Sequence, residues 1–265
     1  MNDISVSRSG EPVRFNDPGV TARFGLIALA TDLTSERDLY RQLPRKDVSI
    51  HVTRVAFENP TTPANLRKMA PRLTEAAQLL APLQPLKAIC YSCTAASVAI
   101  GDDPVRASIQ AGIGDVPVIT PSAAARMAFA ALGVRRIAVL TPYSVETTEQ
   151  MAAYFTRHGM ELTNVECLGL EDDRDMARVS DQTILGAAMS VDTADAEALF
   201  ISCTGLPAIN VIAELETRIG KPVVTSNQAS AWAMARLGGF ADYWPAQFGQ
   251  LFGCALPDDG FGEAA

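Results

Sequence analysis

The chain repeats itself, and the repeat constrains its fold more than any other feature. Residues 116–133 (VPVITPSAAARMAFAALG) align with 221–238 (KPVVTSNQASAWAMARLG), and from Pro117 and Pro222 onward eight of seventeen positions are identical at an offset of 105. Ser92-Cys93-Thr94 matches Ser202-Cys203-Thr204 at an offset of 110, and 26–32 (LIALATD) matches 137–143 (IAVLTPY) in pattern at an offset of 111. Two Ala-rich helices can match by chance. Three elements in the same order and nearly the same register describe two related halves, 23–133 and 134–238. Residues 1–22 read as a flexible polar segment, and 239–265 as a C-terminal segment and tail whose helix can cross back to the first half.

Short apolar runs of strand length recur at 25–30, 50–56, 88–91, 116–119, 136–140, 198–201 and 222–225. Helical spacing lies between them: Leu73, Ala76, Leu79 and Leu80 share one face, and 124–132 and 229–237 are rich in good helix formers. Pro71 predicts a kink or two short helices before that first face. Strands alternating with helices of this length predict an α/β fold. Each half is a parallel sheet flanked by helices, with an active site in the cleft between the halves.

Composition narrows the function. Lys plus Arg is 22 against 30 Asp plus Glu, a net charge of −8, so no basic surplus exists to displace counterions from nucleic acid. No run is long and apolar enough to span a membrane, and no apolar leader opens the chain, which reads as cytoplasmic. Two histidines, His51 and His158, leave little for a His-rich metal site or a Ser-His-Asp triad; both are expected to be structural. No metal site and no nucleotide or pyridoxal motif is expected, and so no cofactor. Five cysteines, an odd number, do not describe a disulfide scaffold.

The duplicated S-C-T elements carry the chemistry. Each follows a short strand and precedes residues that can open a helix, where ligands bind in open α/β sheets. Unpaired amides and the helix dipole at such a place stabilise a thiolate and would lower its pKa. The same amides can bind a carboxylate or a developing oxyanion. Either cysteine alone could be simple packing, since free Cys is often buried. Their matched positions instead set Cys93 and Cys203 as two thiols facing one pocket, an arrangement suited to inversion or cis–trans isomerisation. Cys90, Cys167 and Cys254 have no counterpart and are expected to be structural. Cys90 and Cys93 form a C-x-x-C, but Cys90 lies inside the strand rather than opening a helix, against a redox pair.

Asp32 and Tyr143 hold matching places after the first strand of each half. Asp32 could steer a thiol proton, hold an ammonium group or simply cap a helix. Tyr143 could donate to a carboxylate. Asp173 lies in a charge run, 171–175 (EDDRD), that reads first as a solvated loop and second as a site candidate.

With these elements placed, the chain resembles the aspartate/glutamate racemase superfamily, in the branch of maleate cis–trans isomerases and arylmalonate decarboxylases. The resemblance runs from about Arg23 to Phe252 and rests on 202–206 (SCTGL), 132–136 (LGVRR), 221–226 (KPVVTS) and 248–252 (FGQLF). Residues 28–37 (ALATDLTSER) are similar to ectoine-utilisation proteins of that branch. The resemblance implies paired catalytic thiols at Cys93 and Cys203 and a carboxylate donor at Tyr143. It also implies backbone donors at Thr94, Ala95, Thr204 and Gly205, and a homodimer that needs no cofactor.

Two departures bear on substrate. Arylmalonate decarboxylases lack the first cysteine, so Cys93 argues against that activity. Maleate isomerases carry asparagine where this chain has Asp32 and Asp173. Carboxylates there would repel a dicarboxylate by roughly 1–4 kcal/mol per close pair and favour an amino- or amido-acid. The expected function is a cofactor-independent isomerase or racemase of a small carboxylic acid. A decarboxylase using Cys203 alone and a two-lobed small-acid binding protein remain the alternatives.

Overall fold

Two four-stranded sheets, each wholly parallel and each with the same strand order, form the frame. The computed structural model describes residues 4–16, 20–80 and 85–257. The first half runs β1 (Ala22–Leu29), α1 (Ser35–Gln42), β2 (Val48–Val55), α2 (Pro63–Arg67), α3 (Leu73–Gln78), β3 (Ala88–Ser92), α4 (Thr94–Ile100), α5 (Asp102–Ile113), β4 (Val118–Ile119) and α6 (Pro121–Leu132). The second runs β5 (Arg136–Thr141), α7 (Val145–Arg157), β6 (Glu161–Cys167), α8 (Asp173–Met176), α9 (Asp181–Val191), β7 (Ala198–Ile201), α10 (Ile212–Ile219), β8 (Val223–Thr225) and α11 (Ser226–Leu237). The orders are β2-β1-β3-β4 and β6-β5-β7-β8, so the sequence repeat is a repeat of topology. Central strands β1, β3, β5 and β7 are almost entirely buried, which is why they read as continuous apolar runs.

Local chemistry explains the matched helices. Thr120 and Thr225, equivalent in the repeat, cap α6 and α11 by accepting the Ala123 and Gln228 amides at 3.3 and 3.2 Å. Gln228 Oε1 returns a bond to the Thr225 amide at 3.0 Å and completes a capping box. Pro71 lies in a single 3₁₀ turn, Ala70–Arg72, between α2 and α3, so the expected break is two short helices.

The last helix of each half packs across the boundary. Phe129 on α6 stacks edge-on against Phe155 of α7 and Phe200 of β7, with centroids 6.0 and 5.8 Å away. Reciprocally, α11 packs on α1, β3 and β4 of the first half. A Cβ on Gly238 would fall 2.6 Å from Phe24, so the end of α11 reaches β1 only because that residue is glycine. One continuous hydrophobic core therefore serves both halves. The crossing helix is thus α11, inside 134–238, and not an element of the described residues 239–257. There the described residues form two 3₁₀ turns, Ala246–Phe248 and Gln250–Gly253. The sequence expected a helix, but Pro245 and Gly249 bracket the first turn, and Gly249, at φ 84°, separates it from the second. Most of the expected tail, 258–265, lies outside the described residues.

The described residues form eight strands where the sequence suggested seven. The extra strand, β6 (ELTNVEC), is a half-buried edge whose polar residues give no apolar run. No helix among the described residues is long and apolar enough to cross a membrane.

Candidate active site

Strands β1, β3, β5 and β7 end on one side of the frame, and a cavity lies where the two sets of ends meet. Its lining contains every residue singled out from the sequence: Asp32, Cys93, Thr94, Ala95, Tyr143, Asp173, Cys203, Thr204 and Gly205. It also contains five that sequence reasoning missed: Leu29, Leu33, Phe57, Thr61 and Met176. Phe57 and Thr61 follow β2, and Met176 ends α8, so these residues reach the site through loops that the repeat did not mark. Among the described lining residues none is Arg, Lys or His. Cys90, Cys167, Cys254, His51 and His158 do not line it. All five cysteines are free, and no cluster of metal-ligating residues occurs among the described residues.

The two cysteines are held differently. Cys93 is the N-cap of α4, and its sulfur accepts the Ala96 amide at 3.4 Å. Cys203 does not open a helix: a turn follows, then a 3₁₀ turn at Ala208–Asn210, and α10 begins only at Ile212. The sequence expected a helix here too. After Cys93 come the helix formers TAASVAI, whereas after Cys203 come Gly205 and Pro207, and the proline disfavours helical backbone at Leu206. Cys203 has φ 100°, the one positive φ at a non-glycine residue among those described. Such backbone costs about 1–3 kcal/mol and persists only when its surroundings fix it. Here the Gly205 amide donates to the Cys203 sulfur at 3.3 Å, and the Cys203 amide donates to Ser226 Oγ at 3.0 Å.

Hydrogen bonds across the boundary fix the rest of the rim. Thr94 Oγ1 donates to the same Ser226 Oγ at 2.8 Å, and Thr204 Oγ1 donates to the Ser92 carbonyl at 3.1 Å. Asn227 Nδ2 bridges the Thr204 carbonyl and the buried Asp38, each at 2.9 Å. Asp32 lines the cavity and accepts the Thr34 and Ser35 amides at 2.9 and 2.8 Å and the Ser35 hydroxyl; the N-cap position of α1 itself is Thr34, so Asp32 serves the first turn from two residues before it. Asp173 is not in a solvated loop. It opens α8 and accepts from Thr31 Oγ1 and from Asn59 Nδ2, both in the first half.

Electrostatics reverse one expectation. The sequence predicts lowered thiol pKa values, but burial pushes Cys203 up to about 12 and pushes Cys93 up as well. Bonds from Tyr143, Gly205 and Leu206 oppose the shift at Cys203, and the Ala96 amide opposes it at Cys93. Desolvation of a thiolate outweighs one or two amide dipoles. Burial therefore favours the neutral thiol at both sulfurs. Burial also raises Asp32 above the ordinary carboxyl range and holds Tyr143 as a neutral phenol, 3.4 Å from Ser202 Oγ.

The arrangement offers two thiols on one cavity, neutral donors for a carboxylate, and two carboxylates with no Arg, Lys or His among the described lining residues. Residues 62–252 match the arylmalonate decarboxylase family. An arylmalonate decarboxylase of Bordetella bronchiseptica is 34% identical over 139 residues, spanning 52% of this chain and 58% of that protein. A maleate isomerase of Nocardia farcinica is 25% identical over 226 residues, 81% of this chain and 89% of that protein. A solved maleate isomerase from Pseudomonas putida S16, a variant with maleate, superposes with a TM-score of 0.79 at 24% identity, covering 89% of this chain and 98% of that one. The chain belongs to the arylmalonate decarboxylase family, in the branch of the aspartate/glutamate racemase superfamily that also holds the maleate isomerases.

Proposed function

We propose that the protein is a cofactor-independent isomerase or racemase of a small carboxylic acid, with Cys93 and Cys203 as its reacting groups. The observation that carries this reading is that both sulfur-bearing residues line one buried cavity from the ends of equivalent strands, β3 and β7. The amides of Thr94, Ala95, Thr204 and Gly205, with the Tyr143 hydroxyl, would hold the substrate carboxylate. One sulfur, once its proton has passed to the Asp32 carboxylate on the same wall, takes a proton from the carbon or adds to it as thiolate. The other, as thiol, delivers a proton on the far face.

Asp32 and Asp173, with no Arg, Lys or His among the described lining residues, support a substrate bearing an amino or amido group over a plain dicarboxylate. The likeness of residues 28–37 to ectoine-utilisation proteins is the sole support for placing that substrate in ectoine breakdown. The test is exchange of the substrate α-proton in heavy water by Cys93→Ala and Cys203→Ala. Each variant should lose turnover, and full turnover and exchange in both would end the two-thiol mechanism.

A second reading, decarboxylation with Cys203 as sole proton donor, is favoured by the family match and by the strained backbone found at Cys203 alone. It requires carbon dioxide release from a substituted malonate that survives Cys93→Ala and is lost in Cys203→Ala.

A further inference from the structure

Thr61 lines the cavity, is 6% exposed, and its Oγ1 finds no hydrogen-bond partner among the described residues. Its main chain is fully engaged: the amide donates to the Glu171 carbonyl at 2.7 Å, and the carbonyl accepts from Thr147 Oγ1 at 3.0 Å. The hydroxyl is thus the one free polar group on a residue pinned from both sides. A buried hydroxyl without a partner is costly, and one retained at a cavity wall points to a ligand that completes it.

Symmetry between the halves gives the same answer. Thr61 stands six residues past the end of β2, and Asp173 stands six residues past the end of β6, the equivalent strand. Both line the cavity. Asp173 is satisfied by Thr31 and Asn59, whereas its counterpart has nothing.

We propose that Thr61 is a substrate-binding residue whose hydroxyl reads a neutral amide-type group, a carboxamide or an acylamino group, on the acid. The proposal rests on the small-acid reading above and narrows it. An ammonium group can only donate, so it could engage the Thr61 oxygen but would leave the Thr61 proton unused. A second carboxylate would accept that proton but would meet Asp32 and Asp173 in a cavity lined by no Arg, Lys or His among the described residues. An amide oxygen accepts from Thr61 without that repulsion, and an amide N–H can donate to a carboxylate.

The experiment compares wild type, Thr61→Val and Thr61→Ser by calorimetric titration with N-acetylalanine, alanine and maleate, and by thermal denaturation without ligand. Wild type should bind N-acetylalanine best. Thr61→Val should bind it about tenfold or more weakly while Thr61→Ser stays within about twofold. Without ligand, Thr61→Val should melt at the wild-type temperature or about 2–4 °C above it, because it removes an unpaired buried hydroxyl. Equal binding by Thr61→Val, or a lower melting temperature, overturns the role of Thr61 and leaves the two-thiol reading standing. Failure of all three acids to bind wild type overturns both.

Discussion

The amide of Cys203 donates to the hydroxyl of Ser226 at 3.0 Å, and Ser226 is the first residue of α11, the helix that packs on the opposite sheet. Because Thr94 donates to the same oxygen at 2.8 Å, a single hydroxyl ties the residue beside one thiol to the backbone of the other. The exchange of helices between halves is therefore also what sets the two sulfurs relative to each other. Rotation of one half against the other would break the Thr94–Ser226 bond, the one of the two that crosses the boundary.

Ser226→Ala should accordingly act on both cysteines at once. It leaves the Cys203 amide and the Thr94 hydroxyl buried without an acceptor, at about 1–3 kcal/mol of stability by urea denaturation. Turnover should fall further than stability explains, since the positive φ of Cys203 loses one of its two restraints. A variant with wild-type turnover would show that Ser226 does not position the thiols.

Glycine and alanine should rank oppositely at the two cysteines. Cys203 has φ 100°, which alanine tolerates poorly and glycine freely, so Cys203→Gly should be more stable than Cys203→Ala by about 1 kcal/mol. Cys93 has φ −154°, where glycine gains nothing and loses more chain entropy. There Cys93→Ala should be the more stable by about 0.5–1 kcal/mol. Chemical denaturation of the four proteins measures the ranking, and the same order at both sites would contradict the strain at Cys203.

Much of this was legible in the chain, and what was not has physical causes. The repeat carried the two related α/β halves and the matched places of Cys93 and Cys203, because each rests on local pattern. Strand β6 escaped because an edge strand with one wet face needs no apolar run. With it went the equivalence of Thr61 and Asp173, which is visible only once β2 and β6 are paired by topology. The turn after Cys203 was encoded in Gly205 and Pro207 but was masked by the identity of the two S-C-T elements. The direction of the thiol pKa shifts could not be read, because it depends on how dry the finished cavity is.

Those shifts predict behaviour in alkali. Burial pushes Cys90 and Cys203 up to about 12 from the ordinary 9.0, and Cys93 moves in the same direction. The folded protein keeps these protons after the unfolded chain has released them. The stability they lend is whole below about pH 9 and is lost as pH rises toward about 12, at up to about 1.4 kcal/mol per pH unit for each thiol. Urea midpoints should be flat from about pH 7 to 8.5 and fall steeply above. Alkylation of Cys203 by iodoacetamide in the ligand-free protein should still be rising at pH 10. A plateau by about pH 8 would mean that the thiol is ionised at rest.

Charge at the cavity wall makes the last prediction. Asp32 serves the first turn of α1 through an oxygen that accepts two amides, and an asparagine oxygen serves as well. Asp173 accepts from Asn59 with one oxygen and from Thr31 with the other, where an asparagine amide could donate to the Thr31 hydroxyl instead. Asp32→Asn combined with Asp173→Asn removes two negative charges from a cavity lined by no Arg, Lys or His among the described residues, at the cost of the bond that the second Asp32 oxygen accepts from the Ser35 hydroxyl. Maleate should bind the double variant at least about tenfold more tightly, since each close like-charge pair costs roughly 1–4 kcal/mol. The gain should shrink as pH falls, because burial raises Asp32 above the ordinary carboxyl range and it protonates early in wild type. Maleate affinity unchanged by both substitutions would mean that neither carboxylate meets the ligand.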